Sequence, residues 1–406
     1  MPTDRRVIFC WEVGEHRGHV QPYLALLAAL AENGWDVALA LRNTSVVDRS
    51  IRDRWPVFQA PACMNEFTGI APDPANHTEV YLGFGFAHLE TLAGLVAGWR
   101  AVFSSWRPDL MLANYAPTAQ LAAHASGIAT VRIGTGFECP PAGRRPPTLR
   151  PWKPDFDARL ERAETLALRN ANGVLMECGV APCESLSAVL HGAPTLLATV
   201  PEFDEFPNRA GPHEYLGSLS GASTGGIDPK RDFDLFGYLR VVHPRTAEVM
   251  AAIVATGRPA FVYMPDATES QCLAWTNATL IVSREPANLG RLLPRVRAVV
   301  CYASHGMALD ALLAGKPMLL LPTHSEQQRT ADRVAALGAG VVIDSRSRDR
   351  KVASALRRVL EDSALLAAAE SFAHAQSLRG NASALDRAAA ACEHAVRPSP
   401  VRLKAV

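Results

Sequence analysis

A chain of 406 residues is too long for one ordinary hydrophobic core, so its length points to two domains or one large α/β unit. Its 41 lysines and arginines nearly cancel 40 aspartates and glutamates, and a formal net charge of +1 excludes a global field that recruits nucleic acid or an anionic membrane. The eight cysteines are scattered with no Cys-x-x-Cys pair, which argues against a disulfide framework and for reduced thiols in a cytoplasmic setting.

The chain runs from Arg5-Arg6 straight into VIFCWEVG, too short a run for the apolar region of a signal peptide, and no apolar stretch reaches the roughly 20 residues that cross a bilayer. A soluble protein is expected. VIFCWEV reads as a strand, GEHRGHVQP as a turn, QPYLALLAALAENG as an amphipathic helix closed by Gly34, and WDVALALR as a second strand. Strand, helix, strand in this order demands a parallel sheet with a right-handed crossover. In such folds ligands bind at the carboxyl edge of the sheet, where the turn holds His19. An imidazole there can take a proton from a hydroxyl nucleophile near neutral pH, although a histidine that caps or packs the helix start satisfies the same spacing.

The segment MNEFTGIAPDPANHTEVYLGFGF, residues 64 to 86, offers Phe67, Tyr81 and Phe84 to line an apolar pocket. The proline-rich stretch from 136 to 156, which begins GFECPP and holds Phe137, excludes continuous helix or central strand and reads as a long ligand-binding loop. Packing in the core explains these aromatics equally. Between the two segments, PDLMLAN leads through PTAQLAAHASG to ATVRIGTG, a second strand-helix-strand unit.

The Gly- and Ser-rich EYLGSLSGASTGGIDPKRD reads as a solvated linker. The expected organisation is therefore a first domain over 1–215, a linker over 216–240, a second domain over 241–380, and a C-terminal helix and tail over 381–406. In the second domain RAVVCYA passes through Ser304-His305-Gly306 into MALDALLAGK and then PMLLLP. A glycine at a strand-to-helix turn admits close approach of a ligand, and the first N–H groups of the helix carry partial positive charge, so an anion fits there. After Pro322, Glu326 and Gln327 supply a carboxylate and an amide suited to neighbouring hydroxyls; a glutamate complementing the helix dipole needs no ligand. The remaining histidines show no shared metal-ligand spacing.

Together these features resemble the GT-B glycosyltransferases, specifically the family 1 type UDP-glycosyltransferase and macrolide glycosyltransferase-like superfamily, over nearly the whole chain. GHVQP followed by LLAALAENGWDVALA is similar to that family's Gly-His-x-x-Pro helix and the strand after it. In its C-terminal half the family has His-Gly-Gly, then Gly-Thr, Glu-Ala-Leu, Gly-x-Pro and Pro-x-x-x-Asp-Gln. Counted back from Gly315-Lys316-Pro317, this chain keeps that spacing.

The resemblance implies two Rossmann-like domains facing across a cleft, His19 as general base, and Asp310 on ribose hydroxyls. It further implies Glu326 and Gln327 on the donor sugar, and Gly306, with Ser304 or His305, beside the diphosphate. The departures fall at Tyr302-Ala303-Ser304, in place of His-Gly-Gly, and at Met307, in place of threonine. Asn114 stands where the family's acidic partner of the base is found; it can orient the ring but not balance its charge. The short QCLAWTNA stretch implies loss of one strand-helix unit in the donor domain.

The expected activity is inverting, metal-independent transfer of a sugar from a UDP- or dTDP-sugar to a hydroxyl of a small apolar acceptor, with Phe67, Tyr81, Phe84 and Phe137 on the acceptor. No cofactor beyond the nucleotide-sugar co-substrate is implied, and the resemblance admits a homodimer. The rival reading is a degenerate GT-B protein that binds nucleotide or a protein partner without transfer; another is hydrolysis or epimerisation of the sugar nucleotide. A dinucleotide oxidoreductase is disfavoured, since GEHRGH lacks Gly-x-Gly-x-x-Gly spacing.

Overall fold

Val7 to Trp11 are wholly inaccessible to solvent, as a strand at the centre of a parallel sheet covered on both faces requires. They form most of β1 (Arg5–Trp11). The computed structural model describes residues 5–14, 17–63, 70, 72–151, 157–219, 226–228, 231–344, 352–378 and 383–396. The chain divides into two units, one of Met1–Leu219 with Ala382–Val406 and one of Ser220–Asn381.

In the first unit β1 is joined by β2 (Trp35–Leu41), β3 (Val57–Gln59), β4 (Leu110–Asn114), β5 (Ala129–Gly134), β6 (Thr195–Leu197) and β7 (His213–Tyr215). All pair in parallel, in the order β3-β2-β1-β4-β5-β6-β7. Side chains of β1 alternate between two cores. Ile8 and Cys10 join Trp99, Phe103 and Met111, whereas Val7, Phe9 and Trp11 join Leu26, Leu27 and Leu30 of the helix Leu24–Glu32.

The second core is completed by the C-terminal helix Ala384–Ala395, which inserts Ala388, Ala389 and Cys392. Arg387 of that helix donates to Glu214 Oε1 and to the carbonyls of Tyr215 and Leu216. The expected terminal helix thus belongs to the first unit, and the tail from 397 lies outside the described residues.

The second unit holds β8 (Leu235–Tyr238), β9 (Ala260–Tyr263), β10 (Leu280–Ser283), β11 (Ala298–Cys301), β12 (Met318–Leu320) and β13 (Gly340–Val342). They are parallel, in the order β10-β9-β8-β11-β12-β13. Two expectations need correction here. The stretch 216–240 contains β8, whose Leu235 and Phe236 are buried at the sheet centre; the Gly- and Ser-rich run beside it masks a four-residue strand too short to show an alternation. Residues 220–225 and 229–230 of that stretch lie outside the described residues. The strand-helix unit expected to be missing is present, as the helix Glu269–Trp275 and β10, because a complete capping box from Thr268 and Gln271 lets a seven-residue helix start cleanly.

In each sheet the order in which successive strands are added reverses once. The switch points lie between β1 and β4 in one unit and between β8 and β11 in the other, and open parallel sheets bind ligands at the carboxyl ends of such neighbours. In register, Trp11 pairs with Asn114 at the first switch point and Tyr238 with Cys301 at the second. Among the described residues no single helix is long and apolar enough to cross a membrane. All eight cysteines are free thiols.

Candidate active site

At the first switch point the chain leaves β1 through Glu12, Val13 and Gly14 and reaches His19 in a single 3-10 turn, Arg17–His19. The His19 ring stacks on Trp11, with centroids 5.3 Å apart and planes 14° from parallel. Gly14 lies against the ring's other atoms: a Cβ there would overlap Nε2 and stand 2.8 Å from both Cδ2 and Cε1. With φ of +99°, residue 14 is also in the left-handed region that favours glycine.

Two acceptors meet His19 Nδ1: Glu138 Oε1 at 2.8 Å and Asn114 Oδ1 at 3.1 Å. Nδ1 therefore carries the proton in the neutral ring, which leaves the Nε2 lone pair as the basic position. The Asn114 amide donates to Ile133 O at 2.9 Å and to Glu138 Oε2 at 3.2 Å, so one side chain ties β4 to β5 and both to the histidine.

Glu138 sits on the turn after β5, its side chain 5% exposed. Its Oε2 also receives the Thr135 N–H at 2.7 Å and the Tyr23 hydroxyl at 3.4 Å. Burial pushes its carboxyl up, but the His19 charge and hydrogen bond, the Thr135 N–H and the Asn114 amide outweigh it and hold the group below its ordinary value. The sequence reading missed Glu138. The available signal was the strand-end turn Thr135-Gly136-Phe137-Glu138 beside β4, hidden in a stretch read as an irregular loop.

Next to this cluster Glu12 is buried beneath the helix Pro117–Ala125. Its carboxylate accepts from Thr118 N at 2.9 Å, Thr118 Oγ1 at 2.6 Å and Ala119 N at 3.4 Å, and Trp99 Nε1 donates to the same Thr118 hydroxyl at 2.9 Å. Burial outweighs these hydrogen bonds and raises the Glu12 carboxyl from 4.5 to about 7.

Of the aromatics expected to meet an acceptor, Phe67 lies outside the described residues. Tyr81 is a core residue instead: its ring packs on Phe86 and Tyr115, and its hydroxyl is bound to His191 Nε2 at 3.0 Å. A short helix, His77–Tyr81, turns it inward. Phe137 is nearly buried, edge-on to Tyr115 and tilted against His77, whose Nε2 bonds the Phe137 carbonyl at 2.7 Å. Phe84 is half-buried under the Arg42 guanidinium.

At the second switch point β11 ends at Cys301, and the helix His305–Leu313 begins after an N-cap at Ser304 whose side chain makes no capping bond. Ala303 has φ of +62°, so this turn places a non-glycine residue in left-handed backbone where the related pattern has glycine. The Tyr302 ring turns into the core, against His243 at 5.0 Å and Tyr238 at 5.9 Å. His243 is fixed in turn. Its Nδ1 accepts the Arg245 N–H at 3.1 Å while Nε2 bonds the Leu321 carbonyl at 3.2 Å, and burial lowers its pKa, as suits a neutral ring.

His305 is buried, whereas Ser304, Gly306 and Asp310 are half-buried along the start of the helix. After β12, Glu326 and Gln327 occupy the first turn of the helix Ser325–Ala336, both half-buried. Gln327 Oε1 accepts from Thr323 N at 2.9 Å and Thr323 Oγ1 at 2.8 Å, which closes the loop between Pro322 and the helix. Among the described residues no three histidine, cysteine or carboxylate side chains converge as metal ligands.

Residues 247–382 match the family model of the erythromycin biosynthesis protein CIII-like, C-terminal domain. Glycosyltransferase GtfC of Amycolatopsis orientalis is 39% identical over 62 residues, a match that spans 15% of each chain. Among solved structures, the glycotransferase of kitacinnamycin aligns over 98% of this chain and 100% of its own, with a TM-score of 0.69 at 17% identity. Glycosyltransferase VinC, solved in complex with dTDP, aligns over 96% and 99%, also with a TM-score of 0.69, at 18% identity. At these identities the likeness establishes the fold, which is GT-B.

Proposed function

From a GT-B chain whose C-terminal unit matches the EryCIII-like C-terminal domain, we propose a glycosyltransferase that moves a sugar from a dTDP- or UDP-sugar to a hydroxyl of a small natural-product acceptor. The observation that carries this reading is the His19 imidazole, held by Nδ1 with its Nε2 as the basic atom, at the switch point of the first sheet.

His19 Nε2 takes the proton of the acceptor hydroxyl as its oxygen attacks the anomeric carbon. The bond from that carbon to the diphosphate oxygen breaks, and the electron pair leaves on the nucleoside diphosphate. Attack opposite the leaving group inverts the anomeric centre. General base catalysis of this kind contributes roughly 10²–10⁴-fold. The departing negative charge is met by the N–H groups at the start of the helix His305–Leu313, with the Ser304 hydroxyl beside them. Those donors are fixed before the charge develops, which supports a reaction without a metal ion. Asp310 is assigned the ribose hydroxyls, and Glu326 with the Gln327 amide group the hydroxyls of the sugar.

The decisive experiment incubates the protein with dTDP- and UDP-sugars and a panel of hydroxylated polyketide and phenolic acceptors, with and without EDTA, and follows product by mass spectrometry. Transfer that survives EDTA and is lost in His19→Ala, while titration calorimetry finds nucleotide affinity intact, is the expected result. Unchanged turnover in His19→Ala removes the base from the mechanism. Ala303 in left-handed backbone and the inward Tyr302 favour the binding-only alternative for the diphosphate turn. Nucleotide binding without transfer to any acceptor would decide for its nucleotide-binding form, and absence of dTDP and UDP binding up to millimolar concentration for its partner-binding form.

A further inference from the structure

We propose that Glu138 has taken over the carboxylate's task at the His19 imidazole, with Asn114 as a neutral neighbour bonded to both and the Asp204–Arg209 pair locking the loop that presents it. The inference rests on the reading of His19 as the base, and it names the group that balances the charge formed there.

The carboxylate expected at the end of β4 is absent, since Asn114 can accept from Nδ1 but brings no charge. Glu138 supplies one at 2.8 Å from the same nitrogen. It comes from the next strand of the sheet, because Ala113 pairs with Arg132 and β5 ends two residues later. The exchange is reciprocal. Asn114 Nδ2 donates to Glu138 Oε2 at 3.2 Å, so an aspartate at 114 would set a second carboxylate oxygen against the first. Two buried carboxylates at that spacing repel, whereas the asparagine amide adds its hydrogen bond to those of His19 and Thr135 that favour the ionised glutamate. Gly134 makes the room: a Cβ there would stand 2.7 Å from Glu138 Oε2 and 3.0 Å from Cys139 Sγ.

A carboxylate on a loop orients a base only if the loop is rigid. Arg209 provides that, donating to Gly136 O at 2.8 Å and to Cys139 O, one on each side of Glu138. The same guanidinium is paired to Asp204 through Nε and Nη2, and Asp204 in turn takes the Tyr215 hydroxyl at 2.8 Å. Both members of the pair are nearly inaccessible, at 2% and 0% exposure. Glu138, Asn114, Asp204 and Arg209 are thus positioning residues acting through His19.

The test compares the full chain with Glu138→Gln, Glu138→Asp and the exchange variant Asn114→Asp/Glu138→Gln. Two readouts are taken: steady-state transfer kinetics, and titration of the His19 ring by NMR on protein labelled in histidine. In Glu138→Gln, kcat falls roughly 10²–10³-fold with KM for the donor little changed, and the His19 titration moves down by about one unit or more. The exchange variant, which returns a carboxylate to position 114, recovers at least tenfold in kcat and restores the titration. Glu138→Asp, which keeps the charge on a shorter arm, falls between, and it carries the test if the glutamine variant does not fold. A wild-type kcat and an unmoved His19 titration in Glu138→Gln overturn the proposal. So does an exchange variant that folds as the wild type yet gains nothing. If the wild-type protein transfers no sugar at all, the titration decides alone: a downward shift upholds the coupling and places the failure with the proposed activity, and no shift overturns the coupling.

Discussion

Gly14 and His19 touch so closely that no side chain fits between them: a Cβ on Gly14 would overlap the imidazole's Nε2. Trp11 stacks on one face of the ring and Gly14 closes on its Nε2 end, so its orientation is set by packing as much as by Glu138 and Asn114.

Gly14→Ala should accordingly do two things. The residue loses its left-handed conformation at a cost of about 1–2 kcal/mol, and the imidazole is pushed off Trp11. Thermal unfolding should record the first effect and transfer assays the second, with kcat down at least tenfold. A variant as active and as stable as the wild type would show that the ring can sit elsewhere and still work.

The Glu12 carboxyl gives a pH dependence of definite sign. Its folded value, about 7, lies above the ordinary 4.5, so the folded protein binds the proton more tightly than the unfolded chain. Its contribution is fully favourable below pH 4.5 and is lost as pH rises to about 7, on the order of 3 kcal/mol in all. Glu12→Gln keeps the acceptor for Thr118 N and removes the ionisation. Chemical unfolding at pH 5 and pH 8 should find the variant more stable than wild type at pH 8 by about 1–3 kcal/mol and nearly equal at pH 5. A wild-type pH slope in the variant would clear Glu12 of the effect.

Ala303→Gly tests the turn at the end of β11. Relief of the left-handed alanine gains about 1–2 kcal/mol, less the roughly 0.5–1 kcal/mol of extra chain entropy that glycine loses, so a net gain of about 1 kcal/mol in stability is expected. Removing the methyl also opens the backbone to a diphosphate, so nucleotide affinity should hold or rise. A drop in dTDP and UDP affinity would mean that the methyl itself supports the ligand.

Glu326→Ala separates sugar from nucleotide. If the carboxylate holds sugar hydroxyls, the sugar nucleotide should bind about tenfold more weakly while the bare nucleoside diphosphate binds as before, and preference among donor sugars should broaden. Stability should change by no more than about 1 kcal/mol through the helix dipole. Equal losses for both ligands would assign Glu326 to the nucleotide or to the loop.

Much of this architecture was legible in the residues. The strand-helix-strand repeats, the turn at His19 and the turn at Ser304 follow from local patterns of apolar spacing and turn chemistry, which do not depend on distant contacts. β8 was not, because four residues beside a Gly- and Ser-rich run carry too little periodicity. Tyr81 was misjudged for a related reason: an aromatic facing a pocket and one facing a core have the same spacing, and only His191, far along the chain, decides between them. For Glu138 the turn after β5 was readable but its partners were not. Its partners come from the His19 turn, β4 and the end of β5, and only the sheet order brings those three together.

The return of the C-terminal helix to the first sheet has a practical outcome for dissecting the protein. Residues 220–381 are one uninterrupted segment of the sequence, whereas the first unit is made of two separate segments, 1–219 and 382–406. Expressed without its last piece, it would leave Leu26, Leu27 and Leu30 short of the cover that Ala388, Ala389 and Cys392 give them, and self-association of the fragment would follow.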